Sequence, residues 1–472
     1  MTALSPHPDR LFPPDPTERA IARRLYSEVA DAPIYSPHGH VDAAMLHANQ
    51  SFPDPAALLI TPDHYVTRLL HASGVPLEDL GLARNGVPST ATGQDIWRVL
   101  CTHWDLFLGT PVRFWFESEL SEVFGLTEQP SPENADELYK QLSSVLATDA
   151  FRPRALFERF NVRVLATTDD PADDLAAHRA LRDDESFPGR VVPTFRADRY
   201  LNPAEPTWVS ALERLHEVSG IDCGSYVGLL DALRSRREYF LAHGATATDT
   251  GAPDAGSTPL SVEDAERLHR AGLNSSITAD ESVAYRRNML YRFAEMAADD
   301  GLVMQLHPGV IRNHDRPTFD AFGPDTGHDL PDVTLYTRPL TPVLRDFGSN
   351  PKFRLVLFTV DETSFSREIA PLAGFYPSVY AGAPWWFLDS PAGIARYRSA
   401  ITDSAGFSKT SGFIDDTRAF CSIPARHEMS RRCDAAFLAS LVASHQVSED
   451  DAAQLARDLV GRIPINTFRL ER

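Results

Sequence analysis

The stretch VRVLATTDDP, residues 162–171, sets the pattern from which the fold is predicted. Its first five residues are mostly apolar and the next five are mostly polar, which predicts a short buried strand followed by a loop. The same pattern recurs at 191–195, where an apolar run precedes Arg196 and Asp198. Loops at the carboxyl ends of parallel strands carry the active site of a barrel, so polar clusters directly after strands are typical of that fold.

Six further apolar runs are strand candidates, and amphipathic helices separate most of them. They span residues 33–35, 245–248, 302–305, 353–358, 378–381 and 412–414. Eight strands alternating with helices predict the α/β class and a distorted (β/α)8 TIM-type barrel with large helical insertions. Such a barrel takes about 250 residues. A chain of 472 residues therefore leaves room for a helical insertion at about 93–150 and additional helices at about 205–300.

His38 and His40 follow the first strand candidate, with Gly39 between them. Side chains two apart on an extended segment point to the same side, so the two imidazoles can share one divalent metal. A catalytic site needs a further protein ligand and an open position as well. The spacing alone leaves a second interpretation open, two loop histidines at the surface. If a metal is bound there, the predicted domain organisation is a single metal-dependent barrel over residues 1–472.

A second polar cluster is predicted at the start of a helix. Asp63 can cap this helix after Pro62, which places His64 and Tyr65 in its first turn. Helix N-termini favour anions, so these two side chains could face a substrate carboxylate or an enediolate. The alternative is that Tyr65 packs in the core and His64 is solvated.

The composition restricts the partners of the protein. A net charge of -20 repels phosphate backbones and anionic lipid, so neither nucleic acid nor a membrane is an expected partner. No apolar stretch reaches about 18 residues and the N-terminus lacks a signal pattern, which predicts a cytoplasmic protein. Only Lys140, Lys352 and Lys409 are lysines, so a site for a carboxylate would use arginine. A homo-oligomer is compatible with the sequence.

Seven motifs occur together and in one order along the chain. They are HGH at 38–40, LITPDHY at 59–65, TTDDP at 167–171, MQLH at 304–307, GPDTG at 323–327, WWF at 385–387 and DTR at 416–418. In this set and order the sequence resembles the uronate isomerases, which belong to the amidohydrolase superfamily. The resemblance covers nearly the whole chain.

The resemblance implies an aldose-ketose isomerase that acts on small-molecule uronates. It would interconvert D-glucuronate with D-fructuronate and D-galacturonate with D-tagaturonate through an enediolate. By motif match, one divalent ion, commonly zinc, would be held by His38, His40 and Asp416. The matched substrate-contacting residues are His64, Tyr65 and Arg418, with weaker matches at Arg196, His307 and Trp386.

The chemistry of the reaction defines the roles that must be filled. Moving a carbonyl between C1 and C2 requires a base, a group that stabilises the enediolate and an anchor for the remote carboxylate. Asp416 can act as the base, and Tyr65 with the metal or Arg418 can stabilise the enediolate. An arginine can anchor the substrate, and the sequence leaves open which one.

Two segments depart from the family pattern. Residues 41–43 read VDA where the family usually has Thr-Asp-Pro, and residues 248–250 read TDT where it usually has Ser-Asp-His. The missing histidine leaves any ligand or acid-base role of that strand unassigned. A metal-dependent amidohydrolase-type hydrolase is the alternative function. A carbohydrate-binding protein without catalysis is disfavoured, because binding alone does not require an acid-base pair.

Overall fold

The computed structural model describes residues 2–471, and ten β-strands lie in that range. They are β1 Ile34–Ser36, β2 Val162–Ala166, β3 Arg190–Val192, β4 Thr194–Arg196, β5 Ala247–Ala252, β6 Val303–Pro308, β7 Val310–Ile311, β8 Leu330–Pro331, β9 Leu355–Leu357 and β10 Val379–Ala381. β1, β2 and β3 pair in that order in one sheet, and β4, β5, β6, β9 and β10 in a second. Every pair in these two sheets is parallel. β7 and β8 form a separate antiparallel pair.

The described residues also form twenty α-helices around the parallel strands. They are α1 Pro16–Ser27, α2 Ala43–Ala48, α3 Pro55–Leu59, α4 His64–Ala72, α5 Gly93–Thr102, α6 Pro111–Ser118, α7 Ala135–Leu146, α8 Pro153–Arg159, α9 Ala176–Asp183, α10 Trp208–Ser219, α11 Tyr226–Ala242, α12 Val262–Leu273, α13 Ala279–Asp300, α14 Arg316–Phe322, α15 Thr341–Phe347, α16 Ala370–Phe375, α17 Pro391–Ala405, α18 Ile423–Ala443, α19 Glu449–Val460 and α20 Arg462–Phe468. Helices and parallel strands thus alternate along much of the chain, and the predicted α/β class is confirmed.

Most predicted strands are observed, with shifted ends. The prediction at 162–166 matches β2, whereas the run at 191–195 is divided into β3 and β4. Pro193 lies at the division, because proline has no N–H to donate to the ladder. β5 begins two residues later than predicted and continues to Ala252. Asp249 therefore lies within a strand and not in the loop that follows it.

The strand predicted at 412–414 is wrong. Gly412 has a φ of +74°, and a Cβ at this position would lie 2.9 Å from the Pro464 ring. The Ser411 hydroxyl accepts a hydrogen bond from the Ala383 N–H and donates one to the Gly412 carbonyl. This local bonding replaces a regular ladder. The segment nevertheless contacts the strands on both sides, since Ser411 N–H donates to Ala381 and His40 N–H donates to Thr417.

The two faces of β2 show where the core lies. Val164 and Ala166 pack in a cluster with Val192, Ala247, Val303 and Val356, which come from the neighbouring strands. Leu165, between them, packs in a separate cluster with helices of the first third of the chain and with α17 and α18. Alternate residues of a strand point to opposite faces, so the strands are covered on both sides. Within residues 2–471, no helix combines the length and apolar character needed to cross a membrane.

Candidate metal and substrate site

A cavity of about 640 Å³ opens at the carboxyl ends of the parallel strands. All nine predicted site residues line it: His38, His40, His64, Tyr65, Arg196, His307, Trp386, Asp416 and Arg418. The structure thus brings together side chains from widely separated parts of the chain. Their individual roles stay predictions.

His38 and His40 converge on one oxygen of Asp416. Their Nε2 atoms lie 3.3 Å and 3.0 Å from Oδ1 of Asp416. The backbone of this turn is fixed from two sides, because His40 N–H donates to the Thr417 carbonyl and the Thr168 hydroxyl donates to the Gly39 carbonyl. The same-face placement expected for the two imidazoles is therefore observed.

The charges around this oxygen favour a cation. Burial by itself would raise the pKa of Asp416, but the imidazoles of His38 and His40 lower it well below its ordinary value. Burial also opposes protonation of His38, yet Asp249 and Asp416 together raise its pKa. For His40, burial prevails and lowers the pKa. Positive charge is favoured at this position, either as a proton or as a metal ion.

The side chains fit a divalent ion. Oδ1 of Asp416 is buried and accepts no hydrogen bond from any residue in the range 2–471, although two imidazole nitrogens face it. Within that range, His38, His40 and Asp416 form one group whose ligand atoms lie within 4.8 Å of one another, and His38, Asp249 and His307 form a second. Imidazole nitrogens with a carboxylate oxygen are ligands that a divalent transition metal accepts.

The first turn of α4 supplies an aromatic wall. Asp63 is its N-cap, as predicted, and accepts a hydrogen bond from the Tyr65 N–H at 2.8 Å. The His64 ring stacks on the Tyr65 ring at 5.1 Å between centroids and lies 5.2 Å from Trp386. Burial raises the pKa of Tyr65 well above its ordinary value and lowers the pKa of His64. Tyr65 is therefore a neutral phenol that can donate a hydrogen bond into the cavity.

Two residues that line this cavity have an unusual backbone conformation. Asp416 has a φ of +39° and Trp386 a φ of +51°, in the left-handed region that side chains other than glycine rarely occupy. Such conformations cost on the order of 1–3 kcal/mol each and persist where the surroundings enforce them. Both residues line the same cavity.

Arg418 is paired with an acid that the sequence did not single out. Its NH2 group lies 3.1 Å from Oδ2 of Asp325, and both side chains are more than a third exposed. Asp325 belongs to the turn 323–327, which packs closely on α4. A Cβ at Gly327 would meet the Arg68 Cβ at 2.9 Å. The turn thus links Arg418 to the helix that carries His64 and Tyr65.

A second polar network adjoins His38, whose ring stacks on that of His307 at 4.8 Å between centroids. His307 Nδ1 lies 2.7 Å from Oδ1 of Asp249, and Arg196 lies 3.3 Å from the other oxygen. Arg196 also donates to Asp198 at 2.8 Å. Burial would raise the pKa of Asp249, but Arg196 and His307 lower it far below its ordinary value. Asp249 is therefore ionised, and Arg196 is already neutralised by two carboxylates.

The chain is similar to glucuronate isomerases over almost its whole length. The family model described as glucuronate isomerase matches residues 17–465. The uronate isomerase of Corynebacterium efficiens is 52% identical over 470 residues, which cover 99% of this chain and 100% of that protein. The glucuronate isomerase structure from Caulobacter crescentus superposes with a TM-score of 0.98 at 44% identity, covering 100% of this chain and 98% of that one.

The chain belongs to the glucuronate isomerase family. The uronate isomerase structure from Thermotoga maritima agrees, with a TM-score of 0.91 and 28% identity over 98% of this chain and 99% of that one. The family resemblance seen in the sequence is confirmed, and with it the isomerase function. The hydrolase alternative is not favoured.

The structure adds site residues that the sequence did not predict. Asp249 lines the cavity, whereas Thr250, which stands where the family pattern has histidine, is not among the described residues lining it. The signal available for Asp249 was a charged residue in an apolar strand. Asp325 lay within a quoted motif without an assigned role, and Arg426, which also lines the cavity, lies in a helix without any motif.

Proposed function

We propose that this glucuronate isomerase family member interconverts D-glucuronate with D-fructuronate and D-galacturonate with D-tagaturonate. The observation that carries the proposal is the convergence of His38, His40 and Asp416 beside Tyr65 and Arg418 in one cavity. Its volume of about 640 Å³ lies in the range of small-molecule sites, about 300–1,000 Å³.

Asp416 is the base in this proposal. Its lowered pKa keeps the carboxylate ionised at neutral pH, so it can accept the C2 proton and return a proton to C1. Negative charge then develops on the substrate oxygens. The neutral phenol of Tyr65 and the guanidinium of Arg418 can donate hydrogen bonds to that charge, which lowers the energy of the enediolate.

One divalent ion, which we propose to be zinc, would be held by His38, His40 and Asp416. Two imidazoles and one carboxylate are ligands that zinc accepts, and three protein ligands leave an open position. When bound, the ion would supply a Lewis acid for the substrate carbonyl. The chain's own side chains still have to orient the sugar and move the proton.

Arg418 is the proposed anchor for the substrate carboxylate. Arg196 is already paired with Asp198 and Asp249, whereas Arg418 has Asp325 as its one ion-pair partner among residues 2–471. Its side chain is also 38% exposed, against 25% for Arg196. The less neutralised and more accessible guanidinium is the better partner for a second carboxylate.

A single distorted (β/α)8 barrel over residues 1–472 is the proposed scaffold of this site. Its support is the segment 410–417, whose backbone contacts β10 on one side and the turn after β1 on the other. The helices around 93–150 and 205–300 would then be insertions and additions to one domain. In such a barrel, catalytic side chains come from the ends of several strands.

The direct test is an assay of the purified, zinc-loaded protein with three sugars. Ketose formation from glucuronate and galacturonate is expected, with glucose as a very poor substrate because it lacks the carboxylate. Arg418→Gln should lower kcat/KM on glucuronate more than Arg196→Gln does. Comparable kcat/KM on glucose and glucuronate, or no ketose from either uronate, would contradict the proposed function.

A further inference from the structure

Arg426 is a buried cation behind the candidate site. It lies near the beginning of α18, its side chain is 1% exposed, and it forms part of the cavity wall. Its guanidinium contacts two aromatic rings, 3.7 Å from the centroid of Trp115 and 4.8 Å from that of Tyr65. A buried arginine is costly unless its charge is compensated, so its surroundings must supply partners.

The partners of Arg426 come from three different site-bearing segments. NH2 lies 3.7 Å from the carboxylate of Asp63, the N-cap of α4. NH1 lies 3.2 Å from the carboxylate of Asp389, at the end of the Trp386 turn. NH1 also donates to the carbonyl of Asp415, directly before Asp416, at 3.4 Å.

Arg426 itself is fixed by its own helix. Its Nε donates to the Ser422 hydroxyl at 3.1 Å. The next residue, His427, places Nε2 3.1 Å from the carboxylate of Asp415. Two consecutive side chains of α18 thus contact Asp415. The next residue, Asp416, has its backbone in the left-handed region.

We infer that Arg426 is a positioning residue, which holds the phenol of Tyr65 and the carboxylate of Asp416 at the separation that the isomerisation requires. The inference rests on the proposed function. A planar guanidinium offers five donors in a rigid fork, so it can contact three segments at once while stacking on aromatic rings. Lysine keeps the charge but cannot reproduce this geometry.

This role predicts a specific kinetic signature. Arg426 stands behind Tyr65 and has no assigned contact with the sugar, so substrate affinity should change little when it is replaced. The replacement should instead shift Asp416, the base, relative to Tyr65, the hydrogen-bond donor. A displacement of about 1 Å can cost roughly 10²-fold in rate. The loss should therefore appear in kcat and leave KM nearly unchanged.

The test compares Arg426→Lys with a matched control, Arg237→Lys. Arg237 is also buried, pairs with Asp300 and lies over the ring of Phe195, but it does not line the cavity. We expect Arg426→Lys to lose about 10–100-fold in kcat on glucuronate, with zinc content and thermal midpoint close to those of Arg237→Lys. Arg237→Lys should retain wild-type kcat.

A second variant tests the geometry by chemical rescue. Arg426→Ala leaves a gap in the cavity wall, and added guanidinium at millimolar concentration should restore part of its kcat, whereas ammonium should not. Unchanged kcat in Arg426→Lys, an equal loss in Arg237→Lys, or no selective rescue by guanidinium would each overturn the inference. An assay of the wild-type protein separates this inference from the proposed isomerase function. If the proposed function is wrong, the wild-type protein itself will not turn over glucuronate.

Discussion

Oδ2 of Asp325 lies 3.1 Å from NH2 of Arg418, so the proposed anchor for the substrate carboxylate already faces a carboxylate of the protein. Asp325 has a φ of +60° and lies in a turn that packs on α4. Arg418 lowers the pKa of Asp325 in spite of burial, and Arg312 and His64 contribute in the same direction. A negative charge is therefore present where the uronate carboxylate is expected to bind.

Asp325→Asn should lower KM for glucuronate several-fold. Asparagine tolerates the left-handed backbone and keeps an oxygen for Arg418, while the repulsion of an incoming carboxylate is removed. Steady-state kinetics on glucuronate would measure the change. Asp320→Asn, which removes the acid of an exposed ion pair with Arg316, is the control and should behave as wild type. A higher KM in Asp325→Asn would show that Asp325 orients Arg418 instead of competing with substrate.

Replacing His38 and His40 together with alanine should remove the bound metal and leave the fold intact. The two imidazoles face one carboxylate oxygen and account for two of the three proposed ligands. Elemental analysis of protein purified with added zinc would measure the loss, and circular dichroism would check the fold. The matched control is His7→Ala together with His47→Ala, whose side chains lie outside the cavity. Undiminished zinc in the His38 and His40 variant would contradict the metal assignment.

Glu119 should make stability fall as the pH rises. Burial, with a smaller contribution from Asp63, raises the pKa of Glu119 to about 8 from 4.5. Between these values the folded protein binds more protons than the unfolded chain, so the free energy of unfolding decreases by up to ~1.4 kcal/mol per pH unit. The stability that the folded protein gains from protonated Glu119 is complete below pH 4.5 and is lost as the pH approaches 8.

Glu119→Gln removes this titration without changing the shape of the side chain. The variant should therefore gain stability over wild type as the pH rises from 5 to 8, by on the order of 1–3 kcal/mol after relaxation of the site. Urea unfolding at several pH values would measure it. Glu137→Gln, on the exposed side of α7, should follow the wild-type pH dependence. Parallel curves for Glu119→Gln and wild type would contradict the prediction.

Local sequence patterns were sufficient to indicate His38, His40, His64 and Tyr65, whereas the family resemblance was needed to single out Asp416 and Arg418. His38 and His40 face the same oxygen of Asp416, as their two-residue spacing predicted, although β1 ends at Ser36. Asp63 caps α4 because a short carboxylate satisfies free N–H groups. Such features depend on neighbours in the sequence. The alternation of strands and helices likewise predicted the α/β class.

Features that depend on distant partners were missed. Asp249 contacts Arg196 and His307, and Arg426 contacts Asp63 and Asp389, all of them distant in the sequence. No spacing rule connects such residues in one sequence. The irregular segment at 412–414 was missed for a similar reason, since Pro464 closes against Gly412 only in the folded chain.

The last prediction concerns Asp416 as the base. Its carboxylate is ionised because the imidazoles of His38 and His40 outweigh the effect of burial on its pKa. Asp416→Asn keeps the size and one oxygen but cannot accept a proton. Loss of a positioned base costs roughly 10²–10⁴-fold in rate, so kcat on glucuronate should collapse while substrate binding changes much less.

Metal loss has to be separated from loss of the base, because Asp416 is also a proposed ligand. Zinc content and thermal midpoint should therefore be measured on the Asp416→Asn protein, and kcat compared at equal zinc occupancy. In D₂O, the wild-type enzyme should incorporate deuterium at C2 of recovered glucuronate, since an enediolate exchanges with solvent, whereas a hydride shift would not. Near-normal turnover by folded, zinc-loaded Asp416→Asn would assign the base to another residue, and Asp249, which is ionised and also lines the cavity, would be the next carboxylate to replace.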